Sequence, residues 1–249
     1  MYTDTHCHVL KEYYDEIHEL IEALPANNIK RIIINGYNER TNLEVLELTN
    51  RYPHVYGALG LHPDELEEGV TPTIELIKKN VNNPKIVAIG EIGLDYYHNK
   101  ENKEAQQVVF FEFLKLAQDV NKPVIIHNRD ATNDALNCLK QVQVKGVIHC
   151  FSGSVEIAHE FIKLGFKLGI NGIVTFKNSN LPETLKQVET EHLVLETDCP
   201  YITPEPFRKL PNEPKYLSEV AKKLSEIYGL TMSELVEILE ANTKTVFDF

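Results

Sequence analysis

The chain reads as an α/β protein, a (β/α)8 TIM barrel in a single domain spanning residues 1–249. Three observations predict this. Eight short apolar runs alternate with helical patterns along 249 residues, the length and count of eight βα units. The runs are mostly continuous rather than alternating, the pattern of parallel strands buried on both faces. No glycine-rich phosphate loop follows the first run, as an open doubly wound nucleotide-binding sheet would require. An apolar content of 43% is ample for a core of this size, and no break in composition marks a second domain.

The first strand ends in Thr3-Asp4-Thr5-His6-Cys7-His8. Residues i and i+2 of a strand share a face, so His6 and His8 point one way and Cys7 the other. A charged helical stretch over residues 12–28 places Ile17, Leu20, Ile21 and Leu24 in one apolar stripe. Strand two is 31–35, followed by a helix over 39–51 through Leu43, Val45 and Leu46. Strand three is 55–60, and Thr71-Pro72 then supplies an N-cap and a proline at the first helical position. Strand four, 86–91, ends in Glu91; a helix over 101–120 turns Val108, Phe111, Leu114 and Ala117 inward. Strand five, 123–127, ends in His127 and precedes a helix over 130–142. Strand six, 146–149, ends in His149, with a helix over 154–164 behind it. Strand seven is 166–170, with a short helix over 181–188. Strand eight, 193–198, ends in Asp198. Residues 203–214 hold Pro204, Pro206, Pro211 and Pro214 and read as a stiff rim loop. Helices over 215–228 and 233–241 close the chain, the last opened by the capping box Thr231-Met232-Ser233-Glu234.

Active sites of such barrels lie at the C-terminal ends of the strands. Here His6, His8, Glu91, His127, His149 and Asp198 all stand at that end. One of them alone reads as a helix cap or a satisfied core histidine. Six together exceed the needs of one tetrahedral ion and suit a two-metal site. The net charge of −12 excludes a basic protein that coats nucleic acid, so an anionic substrate must be held locally, as by metal ions. Cys7, Cys138, Cys150 and Cys199 are too dispersed for a zinc ribbon and read as free thiols of a reducing cytosol. The start, Met1-Tyr2-Thr3-Asp4, shows no signal-peptide pattern, and no apolar run is long enough to span a membrane. A cytoplasmic monomer is expected.

The motifs resemble those of the TatD family of metal-dependent deoxyribonucleases over nearly the whole chain. They are Asp4-Thr5-His6-Cys7-His8, Gly60-Leu61-His62-Pro63, Gly90-Glu91-Ile92-Gly93-Leu94-Asp95-Tyr96, Ile126-His127-Asn128-Arg129-Asp130-Ala131, His149-Cys150-Phe151-Ser152-Gly153, Glu196-Thr197-Asp198-Cys199-Pro200-Tyr201 and Asn212-Glu213-Pro214. Where the family usually carries Arg-Gly before the last piece, this chain has Phe207-Arg208-Lys209-Leu210-Pro211. The resemblance implies a barrel with two divalent ions that hydrolyses phosphodiester bonds of DNA, exonucleolytically (3'-5') on single-stranded ends. It implies one ion on His6, His8, Glu91 and Asp198 and another on Glu91, His127 and His149, with Glu91 bridging. Glu91 and Asp198 are the expected catalytic residues, Asp198 orienting the attacking water or accepting its proton. Such ligands suit Zn, Mn or Mg.

Arg129 shares the face of His127 and is a candidate to clamp a phosphate or to pair with an acidic rim residue. His62 and Arg208 are the other substrate-binding candidates. Asp95 and Tyr96 serve either the site or the packing of its loop. Cys7, Cys150 and Cys199 are expected to turn away from the ligands beside them, and His18, His98, His159 and His192 to be solvated. Two other readings remain open. One is a same-barrel hydrolase acting on a lactone, a cyclic amide or an aminoacyl-tRNA ester; relatives that bridge their metals with a carbamylated lysine on strand four are disfavoured, because Glu91 takes that place and Lys85 is at the wrong end. The other is a non-catalytic metal-binding scaffold.

Overall fold

The structure is a computed structural model that describes the backbone of residues 1–249 and every side chain except those of residues 67 and 68. Eight parallel strands follow chain order in one sheet: β1 (Tyr2–Cys7), β2 (Ile29–Asn35), β3 (Val55–Leu59), β4 (Ile86–Asp95), β5 (Val124–Arg129), β6 (Gly146–Ile148), β7 (Phe166–Ile170) and β8 (Leu193–Leu195). Neighbours from β1 to β8 form ladders. The last seam is closed by single hydrogen bonds, from Thr5 Oγ1 to the Leu195 carbonyl (2.8 Å), Asp198 N to the His6 carbonyl (2.9 Å) and His8 N to the Cys199 carbonyl (2.7 Å). The expected TIM barrel is therefore observed.

Helices cover the outside: α1 (Ile17–Glu22), α2 (Glu39–Arg51), α3 (Val70–Asn80), α4 (Lys103–Asp119), α5 (Thr132–Leu139), α6 (Val155–Lys163), α7 (Leu181–Leu185), α8 (Leu217–Tyr228) and α9 (Met232–Val246). Their apolar stripes bury Leu48, Phe113, Phe161, Leu224 and Leu239 against the sheet, each contributing about 1.5–3 kcal/mol. A second cluster joins Ile33, Ala58, Val87, Ile125, Val147 and Val194, from six strands, with Phe247 beyond α9. Ile125 and Val147 lie two residues before His127 and His149, so they share the inward face. This apolar plug fills the barrel beneath the mouth.

Several elements differ from their expected extents. The helix expected over 12–28 is only α1 and a 3-10 turn at Pro25–Asn27. Residues 9–16 instead turn over the mouth, with Tyr13 N and Tyr14 N bonded to the Leu10 carbonyl and Tyr14 Oη donating to the Asn212 carbonyl at 2.6 Å. Helix α3 begins at Val70, so Thr71-Pro72 lies inside its first turn. The buried face of α4 carries Phe110, Phe113, Leu114 and Ala117; Val108 is exposed. Strand β4 runs four residues beyond Glu91, whereas β8 stops at Leu195. The long β4 depends on Gly93, whose φ is +153° and whose added Cβ would lie 1.9 Å from the His127 carbonyl. Only glycine fits that approach of β4 to β5.

Candidate active site

The strand ends bring the six expected ligands together. His6 Nε2 and His8 Nε2 lie 3.1 Å apart. Glu91 Oε2 is 3.5 and 3.4 Å from them, and Asp198 Oδ1 is 3.5 and 3.7 Å. An ion bonded at about 2.0–2.1 Å in a tetrahedron separates its ligand atoms by about 3.3–3.4 Å, so the spacing of His6, His8 and Glu91 fits one ion, with Asp198 Oδ1 beside both imidazoles. The other oxygen, Glu91 Oε1, is 3.0 Å from His127 Nδ1 and 2.9 Å from His149 Nε2, which are themselves 3.1 Å apart. This second cluster offers three donor atoms, leaving room for a water or substrate oxygen. The imidazoles of His6 and His149 stack at 4.0 Å between the clusters.

Outer partners aim the ligands. His8 Nδ1 bonds the Asn35 carbonyl at 3.0 Å, and His127 Nε2 bonds Asp95 Oδ2 at 2.9 Å. Asp95 Oδ1 accepts from Tyr97 N and His98 N, which locks the carboxylate. Glu196 lies behind His149, with Oε1 3.8 Å from His149 Nδ1 and accepting from Cys150 N at 2.6 Å. Gly169 makes space for it: an added Cβ there would meet Glu196 Oε2 at 2.1 Å. Asp4 accepts from Thr197 N and Thr197 Oγ1 and so holds the backbone just before Asp198. Asp198 itself has φ +57°, a left-handed conformation that non-glycine residues adopt at turns and strained sites.

Burial and mutual charge polarise these side chains. Burial pushes the Glu91 carboxyl up, but His149, His6 and His127 outweigh it and hold it well below the usual carboxylate range. Burial would lower His149, yet the Glu91 and Glu196 carboxylates raise it well above an ordinary imidazole. His6 is lowered, by burial and by neighbouring His149. Burial lifts Asp198 to about 6 against the pull of His149 and His8.

The ligands open into a cavity of about 690 Å³. His62 and Arg129 line it: His62 Nε2 is 3.8 Å from Glu91 Oε1, and the Arg129 guanidinium lies 3.9 Å from the Tyr97 ring centroid. Arg208 is not among the lining residues; it donates to the Thr203 carbonyl and stacks on Phe176, bracing the proline-rich loop. One expectation needs correction: Cys150 lines the cavity, because its φ of +51° breaks strand alternation just after β6. His98 is exposed, as expected, and also lines the mouth, its Nδ1 2.9 Å from Asp95 Oδ2. By contrast, Cys7 and Cys199 are buried as expected. Asp95, Glu196 and Asp4 are outer partners that the sequence does not single out. Their even spacing from Glu91, Asp198 and His6 was the available signal.

A nearly closed eight-strand barrel with carboxylates and imidazoles converging at its C-terminal mouth has the donor set of a metal-dependent hydrolase. The family model for TatD related DNase matches residues 3–248. The chain belongs to that family, and with it to the metal-dependent hydrolases. It is 40% identical to uncharacterized metal-dependent hydrolase YabD of Bacillus subtilis (strain 168), over 99% of each chain. It is 32% identical to 3'-5' ssDNA/RNA exonuclease TatD of Escherichia fergusonii, over 92% of each. The crystal structure of the TatD homolog YjjV from Escherichia coli K12 superposes with a TM-score of 0.94 at 31% identity, covering 100% of this chain and 98% of that one. Among the described residues no helix is long and apolar enough to cross a membrane.

Proposed function

We propose that the protein is a two-ion phosphodiesterase that removes nucleotides from single-stranded DNA ends in the 3'-5' direction. The observation that carries the reading is Glu91, whose Oε2 lies with His6 and His8 and whose Oε1 lies with His127 and His149. Divalent ions bound there would neutralise charge growing on phosphoryl oxygens and bring a water's pKa toward neutrality. Asp198 orients the attacking water and takes its proton. Arg129 and His62, on the cavity wall, hold the non-bridging oxygens of the phosphate. The preference for single strands and 3' ends is supported by the relative named as a 3'-5' ssDNA/RNA exonuclease. We place the enzyme in the cytoplasm, where its four free thiols would persist. The test is a metal-reconstituted assay offering single-stranded DNA, duplex DNA, RNA, an aminoacyl ester and a generic phosphodiester side by side. Fastest turnover of single-stranded DNA is expected; turnover of the carboxylic ester alone would overturn the reading.

A further inference from the structure

The two walls of the cavity differ in chemistry. One carries Arg129, Asp64 and His98; the other carries Tyr13, Tyr37 and Tyr201. The tyrosines come from three separate segments, after β1, β2 and β8. Tyr201 Oη donates to Tyr13 Oη at 2.9 Å, and Tyr13 Oη lies 3.2 Å from Tyr37 Oη. The Tyr13 and Tyr201 rings meet edge-to-face at 5.7 Å. Tyr37 and Tyr201 also pack edge-to-face on His8, at 5.6 and 6.2 Å. One imidazole thus separates this wall from the point where His8 Nε2, His6 Nε2 and Glu91 Oε2 converge. Tyr201 nevertheless keeps 49% of its surface open.

We propose that Tyr201, braced by Tyr13 and Tyr37, is a stacking shelf for one nucleobase of the strand being cut. The inference rests on the nuclease reading and specifies how that site holds its substrate. The three hydroxyls form a chain, Tyr201 to Tyr13 and Tyr13 to Tyr37, so Tyr201 is fixed at its tip while about half of its surface stays open. Such a surface has few free hydrogen-bonding groups with which to read a base and accepts any of them, because every base has a π-face. Fixing each ring by its hydroxyl also removes the cost of ordering it on binding. A chain with net charge −12 gains little from long-range attraction to a polyanion. Stacking is a charge-independent source of hold one ring away from the phosphate.

The test uses the ion-loaded full chain and short single-stranded oligonucleotides carrying one abasic residue at each position in turn. An abasic residue at one position next to the cleaved bond is expected to lower wild-type kcat/KM by about fivefold to a hundredfold, the worth of one base on an aromatic ring. Tyr201→Leu, with ion content unchanged, is expected to lose a similar factor on the intact strand and to cut intact and abasic strands alike. Tyr201→Phe keeps the ring and should keep the difference. Equal wild-type cleavage of intact and abasic strands overturns the shelf, and so does a difference that survives in Tyr201→Leu. Failure of the ion-loaded wild type to cut any oligonucleotide removes the nuclease reading itself, whereas cutting that ignores missing bases removes the shelf alone.

Discussion

Glu91 is 4% exposed and shares its two oxygens between the donor clusters. Glu91→Ala is expected to lose ion binding at both clusters and to reduce turnover beyond the roughly 10- to 100-fold that loss of an outer ligand partner costs. Cys7→Ala lies between two ligands in sequence yet faces away from them, its Sγ near the Ile33 carbonyl. It should keep full ion content and cost on the order of 1 kcal/mol of stability. Metal analysis and rates on the two variants check this; equal losses would contradict the assigned strand faces. Asp95→Asn probes the next layer: with the charge behind His127 removed, ion affinity should fall about 10- to 100-fold. Titration with Mn²⁺ reads it, and an unchanged affinity would mean that Asp95 does not set the His127 ring. The clustering of the six candidate ligands was legible because strand period and strand end are both written in the sequence. The Asn35 carbonyl that aims His8 was not, since every residue has a carbonyl. Cys150 was misjudged because its left-handed backbone ends the alternation from which its direction was read.

At the scale of elements, the strands were read more accurately than the helix faces. Four consecutive apolar residues, Val108 to Phe111, admit two overlapping helical stripes in α4, and only packing against the barrel selects the one through Phe110 and Phe113. Strand β4 extends to Asp95, beyond the expected end at Glu91, and Gly93 is what lets it do so. Gly93→Ala should therefore cost at least about 1–3 kcal/mol through backbone strain alone, and it should pull His127 away from Glu91 with loss of bound ion. A melting temperature and ion content equal to wild type would refute that. The capping box of α9 was legible and is present, with Thr231 Oγ1 accepting from Glu234 N and the Glu234 carboxylate accepting from Thr231 N. Thr231 does not line the cavity. Thr231→Ala should lower stability by about 0.5–2 kcal/mol while leaving turnover unchanged well below the melting temperature.

At the scale of the whole molecule, charge and shape point to the same mode of substrate capture. With net charge −12 and Arg129 at the cavity rim, few phosphates can be neutralised by side chains. Log affinity for single strands against log salt should have a slope matching about one to three phosphates, near −0.7 for each. Binding should be barely detectable without divalent ion. A steep slope would indicate an extended cationic track instead. The barrel and the place of its mouth were legible in the sequence, because strand count and ligand position are one-dimensional patterns. The contrast between the tyrosine wall and the Arg129 wall was not, because it joins loops far apart in the chain. A confined two-ion pocket that takes strand ends should distinguish one single-stranded DNA sequence in linear form from the same sequence as a covalently closed circle, both offered to ion-loaded enzyme. The linear strand should be shortened while the circle stays intact over the same time. Nicking of the circle as fast as loss of the linear strand would mean that the pocket does not require a strand end.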